Sequence, residues 1–199
     1  MQNFGAGLAM ESRREQALLQ LLDEREIHRV LLRYCRGVDR CDAALVAGCF
    51  HDDAVDDHGS WIADGCDVAA HVVGIVRPGP ATAMHFLGNV LIEVEGDAAF
   101  AESYLLAFRA FGRDGKRYTR TRAVRFVDRF ARRDGEWRIS ERVVVDDWNR
   151  VDEVVEVQEG SAMFLSGSKD RNDPVYAIRR GRVARHARSG RHIVRKGDL

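Results

Sequence analysis

Two side chains of this sequence have the chemistry of a proton-transfer site, and the first is an aspartate. Asp39 lies in the segment YCRGVDRCD, at the end of a run whose apolar residues recur every three to four positions. That spacing is typical of an amphipathic helix with a buried stripe, and Tyr34 and Val38 lie on the stripe. Asp39 follows at its edge, where it could cap local backbone, pair with Arg36 or Arg40, or point into the space that the helix covers.

The second side chain is a histidine with an unusual setting. His85 lies in AMHFLGN, at the start of the first strand that the pattern predicts. Two-residue alternation places Leu87, Asn89 and Leu91 on the same, mostly apolar face. The pattern favours a core histidine with one hydrogen bond over a catalytic residue, unless the fold brings His85 to Asp39.

Such a pair would be a general base. A neutral imidazole can take a proton from a carbon beside a carbonyl or a leaving group. A carboxylate on its other nitrogen fixes the tautomer and stabilises the imidazolium that forms. This is the Asp–His half of a serine triad without the serine, and it needs neither metal nor organic cofactor, so we predict none.

The elements that must position these residues begin with helices. Residues 1–10 are predicted to be a loose leader, residues 11–38 a long helix and residues 41–50 a short helix with Asp42 as its N-cap. The segment HDDAVDDHGSW is predicted to be a solvated loop that enters a short strand near Trp61. Residues 65–76 form a third helix, which RPGP ends.

After Pro80 the sequence becomes rich in Val, Ile, Phe, Tyr and Thr. Turn signals at 95–97, 113–115 and 133–135, the last two with Asp-Gly pairs, predict a four-strand antiparallel meander over 82–148. Helices followed by hairpins indicate an α+β fold in a single domain. A long curved sheet around a helix would enclose a pocket.

Composition excludes several classes of protein. The chain has 199 residues, of which 45% are hydrophobic, and Lys+Arg equals Asp+Glu at 31 each, so no overall field attracts nucleic acid or an anionic membrane. No apolar run approaches the roughly 18 residues of a membrane helix. The first arginines follow the apolar part of the N-terminus, the reverse of a secretory signal, which predicts a cytoplasmic protein.

Metal sites and disulfides are not predicted. The four cysteines, Cys35, Cys41, Cys49 and Cys66, form no C-x-x-C pair and are interpreted as small buried hydrophobic residues. The acidic segment HDDAVDDHG lacks the Gly and Glu positions of a calcium loop. Its adjacent aspartates would point to opposite sides of an extended chain.

The C-terminal extension, residues 151–199, has little periodicity. Its last part, 178–199, holds eight Lys or Arg and one Asp. A nucleic-acid arm and a solvated, partly disordered tail both fit, and the second is favoured. The apolar cluster Met163-Phe164-Leu165 is expected to be buried over the mouth of the domain or against a neighbouring chain.

Several segments together resemble the SnoaL-like group of the nuclear-transport-factor-two superfamily. They are Y-x-x-x-x-D-R-x-D at the end of the first helix, CFHDDAVDDHG, MHFLGN and RFVDRFARRDGEWRI, in that order over roughly residues 12–150. The resemblance implies a cone, in which a strongly bent, mainly antiparallel sheet wraps the long helix around a cavity. In the dehydratase and dehydrochlorinase branch an aspartate at the helix end holds a histidine of the first long strand, and these positions match Asp39 and His85. Tyr34 matches a tyrosine that lines the site, which implies a third catalytic residue that polarises or orients the substrate; from the residues alone Tyr34 fits a core position equally well.

The resemblance implies a cofactor-independent, dehydratase-like lyase that acts on a hydrophobic cyclic small molecule. An isomerase of the ketosteroid type and a polyketide cyclase are alternatives within the same fold. A non-catalytic binding module is the alternative from another class, and in it Asp39 would pair with an arginine and His85 with backbone. Relatives are dimers or trimers that pack through the outer sheet face, so a homodimer or homotrimer is expected.

Five further residues are weaker candidates for substrate contacts. Each has a structural interpretation beside the functional one; for Arg125 this is an ion pair with Asp128 on the surface, and for the tryptophans it is a place in the core or an interface. The candidates are Asn89, Tyr104, Arg125, Trp61 and Trp148.

Overall fold

Helices occupy the first part of the chain and a sheet the second. The structure, a computed structural model, describes residues 2–78, 82–157 and 164–181. In chain order its elements are α1 (Gln2–Asp39), α2 (Ala43–Ala47), β1 (Phe50–Asp57), β2 (Ile62–Asp64), α3 (Gly65–Val76), β3 (Ala83–Glu95), β4 (Ala98–Arg113), β5 (Lys116–Arg133), β6 (Glu136–Glu153) and α4 (Pro174–Arg179).

The described strands form one curved, open, mixed sheet in the order β2-β1-β6-β5-β4-β3. β3 to β6 are consecutive antiparallel neighbours, which confirms the predicted meander, and β1 joins β6 in parallel. The two Asp-Gly turns have both central residues at positive φ, as the predicted hairpin turns require; φ is 53° and 73° in one turn and 52° and 78° in the other. The α+β prediction is confirmed.

The helical stripe is shorter than its sequence pattern. Residues that recur every three or four positions from Ile27 to Val38 are at most 1% exposed: Ile27, Val30, Leu31, Tyr34 and Val38. Upstream, Leu18, Leu19 and Leu22 belong to the same pattern but are 46–57% exposed. The helix itself begins at Gln2, so most of the predicted loose leader is helical. Among the side chains of α1 whose burial is described, the buried ones lie only in the second half of the helix, where the sheet covers it.

β-bulges change which residues face the helix. The register of β3 shifts between Leu87 and Val90, so Val90 and Ile92 continue the inner face of His85. Asn89 is exposed, and Leu91 points to the outer face, where it is 54% exposed. The prediction that both share the face of His85 is therefore wrong, because simple alternation does not survive an extra residue.

The acidic segment after α2 is a strand and not a solvated loop. β1 pairs with β6 on one side and with β2 on the other. Ala54 and Asp56 are fully buried on it. The short predicted strand near Trp61 is β2, and the helix bounds predicted for 65–76 are those of α3. The cap by Asp42 is also present, since its Oδ1 accepts from the Leu45 amide.

The C-terminal segment returns to the helices. Asp173 pairs with Arg40 at 3.1 Å, and Tyr176 of α4 is buried. Phe164 is 79% exposed, so the expected burial of its apolar cluster is not found at this residue. Met163 and residues 182–199 of the basic tail lie outside the described residues. Cys35, Cys41 and Cys49 are buried as predicted, whereas Cys66 is exposed. In the described part of the chain, no helix is both long and apolar enough to cross a membrane.

Replacing Gly65 by alanine is expected to destabilise the fold. A Cβ at residue 65 would lie 1.9 Å from the carbonyl oxygen of His51. Because this atom is backbone of β1, the helix or the strand must shift, at a cost of about 1–3 kcal/mol or more. Gly74 of the same helix is the matched control, since a Cβ there meets nothing within 4 Å.

Urea unfolding measures both variants. The free energy of unfolding should fall for Gly65→Ala and stay equal or rise for Gly74→Ala. An unchanged value for Gly65→Ala would contradict the close packing of α3 on β1.

Candidate active site

The end of α1 holds the predicted aspartate against the first long strand. Oδ1 of Asp39 lies 2.7 Å from Nδ1 of His85, and Oδ2 accepts the backbone N–H of His85 at 3.0 Å. One residue of β3 thus binds both carboxylate oxygens. Gly37 makes this placement possible, because α2 comes so close that a Cβ at Gly37 would lie 2.7 Å from Val46.

The carboxylate determines what the imidazole of His85 can do. A neutral ring whose Nδ1 donates to Asp39 carries its lone pair on Nε2. Among the described residues Nε2 has no hydrogen-bond partner, and the side chain is 17% exposed. The ring is therefore oriented, buried for the most part, and able to accept a proton at Nε2.

The arginines beside Asp39 have other partners. Arg40 pairs with Asp173, and its side chain donates to Asp39 only at the backbone carbonyl, at 3.4 Å. The guanidinium of Arg36 lies over the Tyr176 ring, 5.7 Å from its centroid. Neither arginine pairs with the Asp39 carboxylate, unlike the arrangement expected of a non-catalytic module.

Tyr34 of α1 is buried in the core. It is 1% exposed and packs edge-on against Phe50 and Phe126, with ring centroids 5.8 and 5.6 Å away. Its hydroxyl is 3.5 Å from Nε2 of His58. Burial raises the pKa of Tyr34 above its ordinary value, although Arg142 opposes the shift, so the phenol stays protonated.

A fully buried ion pair lies under this tyrosine. Arg142 donates from Nε and Nη2 to the two oxygens of Asp128, both at 2.7 Å, and its guanidinium lies 3.9 Å from the Phe126 ring centroid. Burial alone would lower the pKa of Arg142, but Asp128 and its other neighbours raise it, so the guanidinium stays charged. Burial raises the pKa of Asp128, which the charge of Arg142 counteracts.

The sequence pattern did not predict this ion pair. A register shift between Ile139 and Glu141 turns Arg142 to the inner face, where alternation would have placed Glu141. Asp128, by contrast, could have been found, since it alternates with Phe126 and Phe130 on β5.

A second aspartate–histidine pair was also missed. Nδ1 of His58 lies 2.6 Å from Oδ1 of Asp56, which is fully buried. The His58 ring stacks on Trp61 with centroids 4.2 Å apart and keeps 19% of its side chain exposed. Asp57 points away from Asp56, as predicted for adjacent residues of a strand. The signal was an Asp and a His two residues apart, which a strand places on one face.

Most of the weaker candidates do not lie beside the Asp39–His85 pair. Trp61 joins the second pair through His58, but Tyr104 and Arg125 are cross-strand neighbours on the outer face. The partners of Arg125 are Glu102 and Asp147 and not Asp128, so that prediction is wrong; Arg125 and Asp128 lie three residues apart and face opposite sides. Trp148 is 51% exposed. A hollow of about 180 Å³ has a lining that includes Asn89 and Tyr104 but neither residue of the Asp39–His85 pair.

Comparison with known proteins supplies a family and a fold. The family model described as a SnoaL-like domain matches residues 19–143. A putative scytalone dehydratase from Novosphingobium aromaticivorans has a similar structure, with a TM-score of 0.60, 19% identity, and coverage of 70% of this chain and 91% of that one. No curated protein matches the sequence.

Two further solved structures are similar. A hexachlorocyclohexane dehydrochlorinase from Novosphingobium barchaimii has a TM-score of 0.62 and 20% identity, over 75% of this chain and 99% of that one. A protein of unknown function from Mycobacterium tuberculosis has a TM-score of 0.57 and 24% identity, over 66% and 75%. At these identities the likeness shows the cone-like fold, which agrees with the fold that the sequence resemblance implied.

Removing one partner of the buried ion pair is expected to destabilise the protein strongly. Asp128→Ala leaves the Arg142 charge buried and uncompensated, at a cost of about 3–5 kcal/mol. Glu153→Gln is the matched control, because it breaks an exposed pair with Lys116 between the same two strands and costs about 1 kcal/mol or less. Urea unfolding compares them.

The double variant Asp128→Leu/Arg142→Leu should recover much of the loss. A cost for Asp128→Ala no greater than that of Glu153→Gln would contradict a buried ion pair.

Proposed function

The chain belongs to the SnoaL-like domain family, and from this premise we propose that it is a cofactor-independent, dehydratase-like lyase whose general base is His85. The observation that carries the proposal is the double contact of Asp39 with His85, at 2.7 Å to the ring and 3.0 Å to the backbone. It fixes the tautomer and leaves Nε2 as the proton acceptor. A histidine held in this way suits abstraction of a proton from carbon.

The reaction needs few steps. Nε2 of His85 takes the proton from a carbon beside a carbonyl, and the electrons of that C–H bond form the new double bond. The C–O bond to a neighbouring carbon breaks, and the departing hydroxyl receives a proton and leaves as water. In the simplest case the same imidazolium returns that proton. The negative charge of Asp39 stabilises the imidazolium between the two transfers.

The surroundings of His85 support an apolar substrate. Leu87 follows on the same face of β3, and its neighbour Leu105 on β4 is 2% exposed. Val124 on β5 continues this row. An apolar inner face favours a hydrophobic, cyclic molecule with few polar groups, and it strengthens the attraction between the imidazolium and Asp39.

The names of two structural neighbours agree with an elimination. One is called a dehydratase and the other a dehydrochlorinase. Both names denote removal of a small molecule from a substrate, which requires a base for a carbon-bound proton. Since their identity with this chain is 19–20%, they support the reaction class and leave the substrate open.

Changing either residue of the pair should abolish most turnover. With cyclic β-hydroxy ketones as a screening set, loss of water is followed by the absorbance of the conjugated product. His85→Gln and Asp39→Asn are expected to lower kcat by about 10²–10⁴. His28→Gln and Asp67→Asn, outside the site, are the matched controls and should keep wild-type activity.

The outcomes separate the possible functions. Full turnover in His85→Gln would contradict the general-base role. Migration of a double bond without loss of water would indicate an isomerase that uses the same base. Binding of cyclic ketones with no turnover by the wild-type protein would indicate a binding module.

We also propose that the outer sheet face is the interface of a homodimer or homotrimer. Large apolar side chains that are 38–61% exposed lie on this face: Met84, Phe86, Leu91, Phe100, Tyr104 and Val143. Exposed large apolar side chains gathered on one face are typical of an interaction site. A self-complementary interface would cover it in a symmetric oligomer.

Light scattering after gel filtration tests the oligomer. The wild-type protein should have two or three times the mass of the 22.4 kDa chain, and Phe86→Asp should shift it toward the monomer. Val155→Asp is the control, since Val155 is 88% exposed and lies beyond β6. A monomeric wild-type protein would overturn the proposal.

A further inference from the structure

The two aspartate–histidine pairs lie in different electrostatic surroundings. Asp39 is 8% exposed, and both of its carboxylate oxygens accept hydrogen bonds, one of them from backbone. Asp56 is fully buried, and its Oδ2 has no partner among the described residues. The one hydrogen bond of the Asp56 carboxylate in the described part of the chain is with His58, at 2.6 Å, and Arg142 adds a longer-range attraction. A buried carboxylate with a single partner favours a positive charge on that partner.

Every element around His58 adds to this balance. Tyr34 faces it from α1 and Asp56 from β1, while Asp128 of β5 acts on it electrostatically and has its own partner in Arg142 of β6. Trp61 covers one face of the ring and also contacts His71 of α3. The cluster contains two buried carboxylates and one buried guanidinium. A protonated His58 makes the cluster neutral, whereas a neutral His58 leaves one negative charge without a counterion.

The exposure of the side chains decides which group can reach a substrate. Tyr34 is 1% exposed, but the His58 side chain keeps 19% of its surface, close to the 17% of His85. The 3.5 Å contact from His58 Nε2 to the Tyr34 hydroxyl is at the limit of a hydrogen bond. Nε2 of His58 is therefore held in place by Asp56 and Trp61 and bound only weakly by Tyr34.

We propose that His58, and not Tyr34, is the second catalytic residue, a general acid that protonates the leaving oxygen of the substrate. The inference rests on the proposed function and deepens it, because it assigns the acid and the base to two histidines. The Asp56–His58 pair is placed to hold the proton that a general acid donates, and separate surroundings are the usual means of giving two like groups different roles. Asp56 and Tyr34 act through His58 and are positioning residues.

The proton balance is complete. Nε2 of His85 takes the proton from carbon, and the C–H electrons form the double bond. The C–O bond breaks with its electrons on oxygen, and Nε2–H of His58 gives that oxygen a proton, so water leaves. His85 ends as the imidazolium and His58 as the neutral ring with Nδ1–H on Asp56. Exchange with bulk water at the two partly exposed rings restores both, with no net change of protons.

A measurement without substrate tests the charge of His58. Nitrogen-15 NMR of the ring nitrogens of the full-length protein at pH 7 should show His58 as the imidazolium and His85 as the neutral Nδ1–H tautomer. Asp56→Asn should turn the His58 signal into that of a neutral ring, and His58→Gln assigns the signal. A neutral His58 in the wild-type protein at pH 7 would overturn the inference, whatever the substrate proves to be.

The pH profile of kcat provides the second test. Activity needs a proton acceptor at His85 and a proton donor at His58, so kcat should fall on both the acid and the alkaline side of a maximum. His58→Gln should lower kcat by about 10² and remove the fall at high pH, with little change in KM. Tyr34→Phe should keep that fall, and His28→Gln should match the wild type in both respects.

Failure of the inference and failure of the proposed function are distinguishable. Full activity in His58→Gln together with loss in His85→Gln would overturn the inference alone. Full activity in His85→Gln would overturn the proposed function.

Discussion

The geometry of the site depends on one pair of hydrogen bonds, in which the Asp39 carboxylate binds both the ring and the backbone N–H of His85. It connects the end of α1 to β3, an edge strand that pairs with β4 alone among the described strands. The buried stripe through Tyr34 and Val38 fixes the rotation of the helix, and so the direction of its last side chain. The packing of the helix on the sheet therefore orients the imidazole of His85, because the contact with Asp39 fixes both the position of the ring and its tautomer.

The inner face of the sheet adds a second constraint, since it carries charge as well as apolar side chains. Arg142 and Asp128 are buried with their charges paired, and Asp56 is buried beside His58. In a low-dielectric interior each of these charges determines the protonation of its neighbours. Each of the two histidines has its own aspartate partner, Asp39 for His85 and Asp56 for His58. The other charges around each pair are what make the expected roles of the histidines different.

The sequence predicted the fold correctly, but it did not predict which side chains lie on the inner face of the sheet. Helical spacing and Asp-Gly turns are local signals, and they placed α3 and the hairpins correctly. Alternation along strands failed at β-bulges, where one extra residue moved Asn89 outward and Arg142 inward. The approach of His85 to Asp39 is a contact across 46 residues that no local pattern contains, so only the family resemblance predicted it. β1 was not predicted, because its polar residues are typical of a solvated loop and nothing in the pattern indicates that Asp56 is buried.

The most direct test of the central claim, that His85 removes a proton from carbon, is hydrogen–deuterium exchange. Cyclic ketones are incubated with the protein in heavy water, and proton NMR follows loss of the signal from the carbon beside the carbonyl. This step needs a base but no leaving group. The wild-type protein should exchange that position well above the buffer rate, and His85→Gln should exchange it at the buffer rate. Equal rates with both proteins would contradict the general-base role.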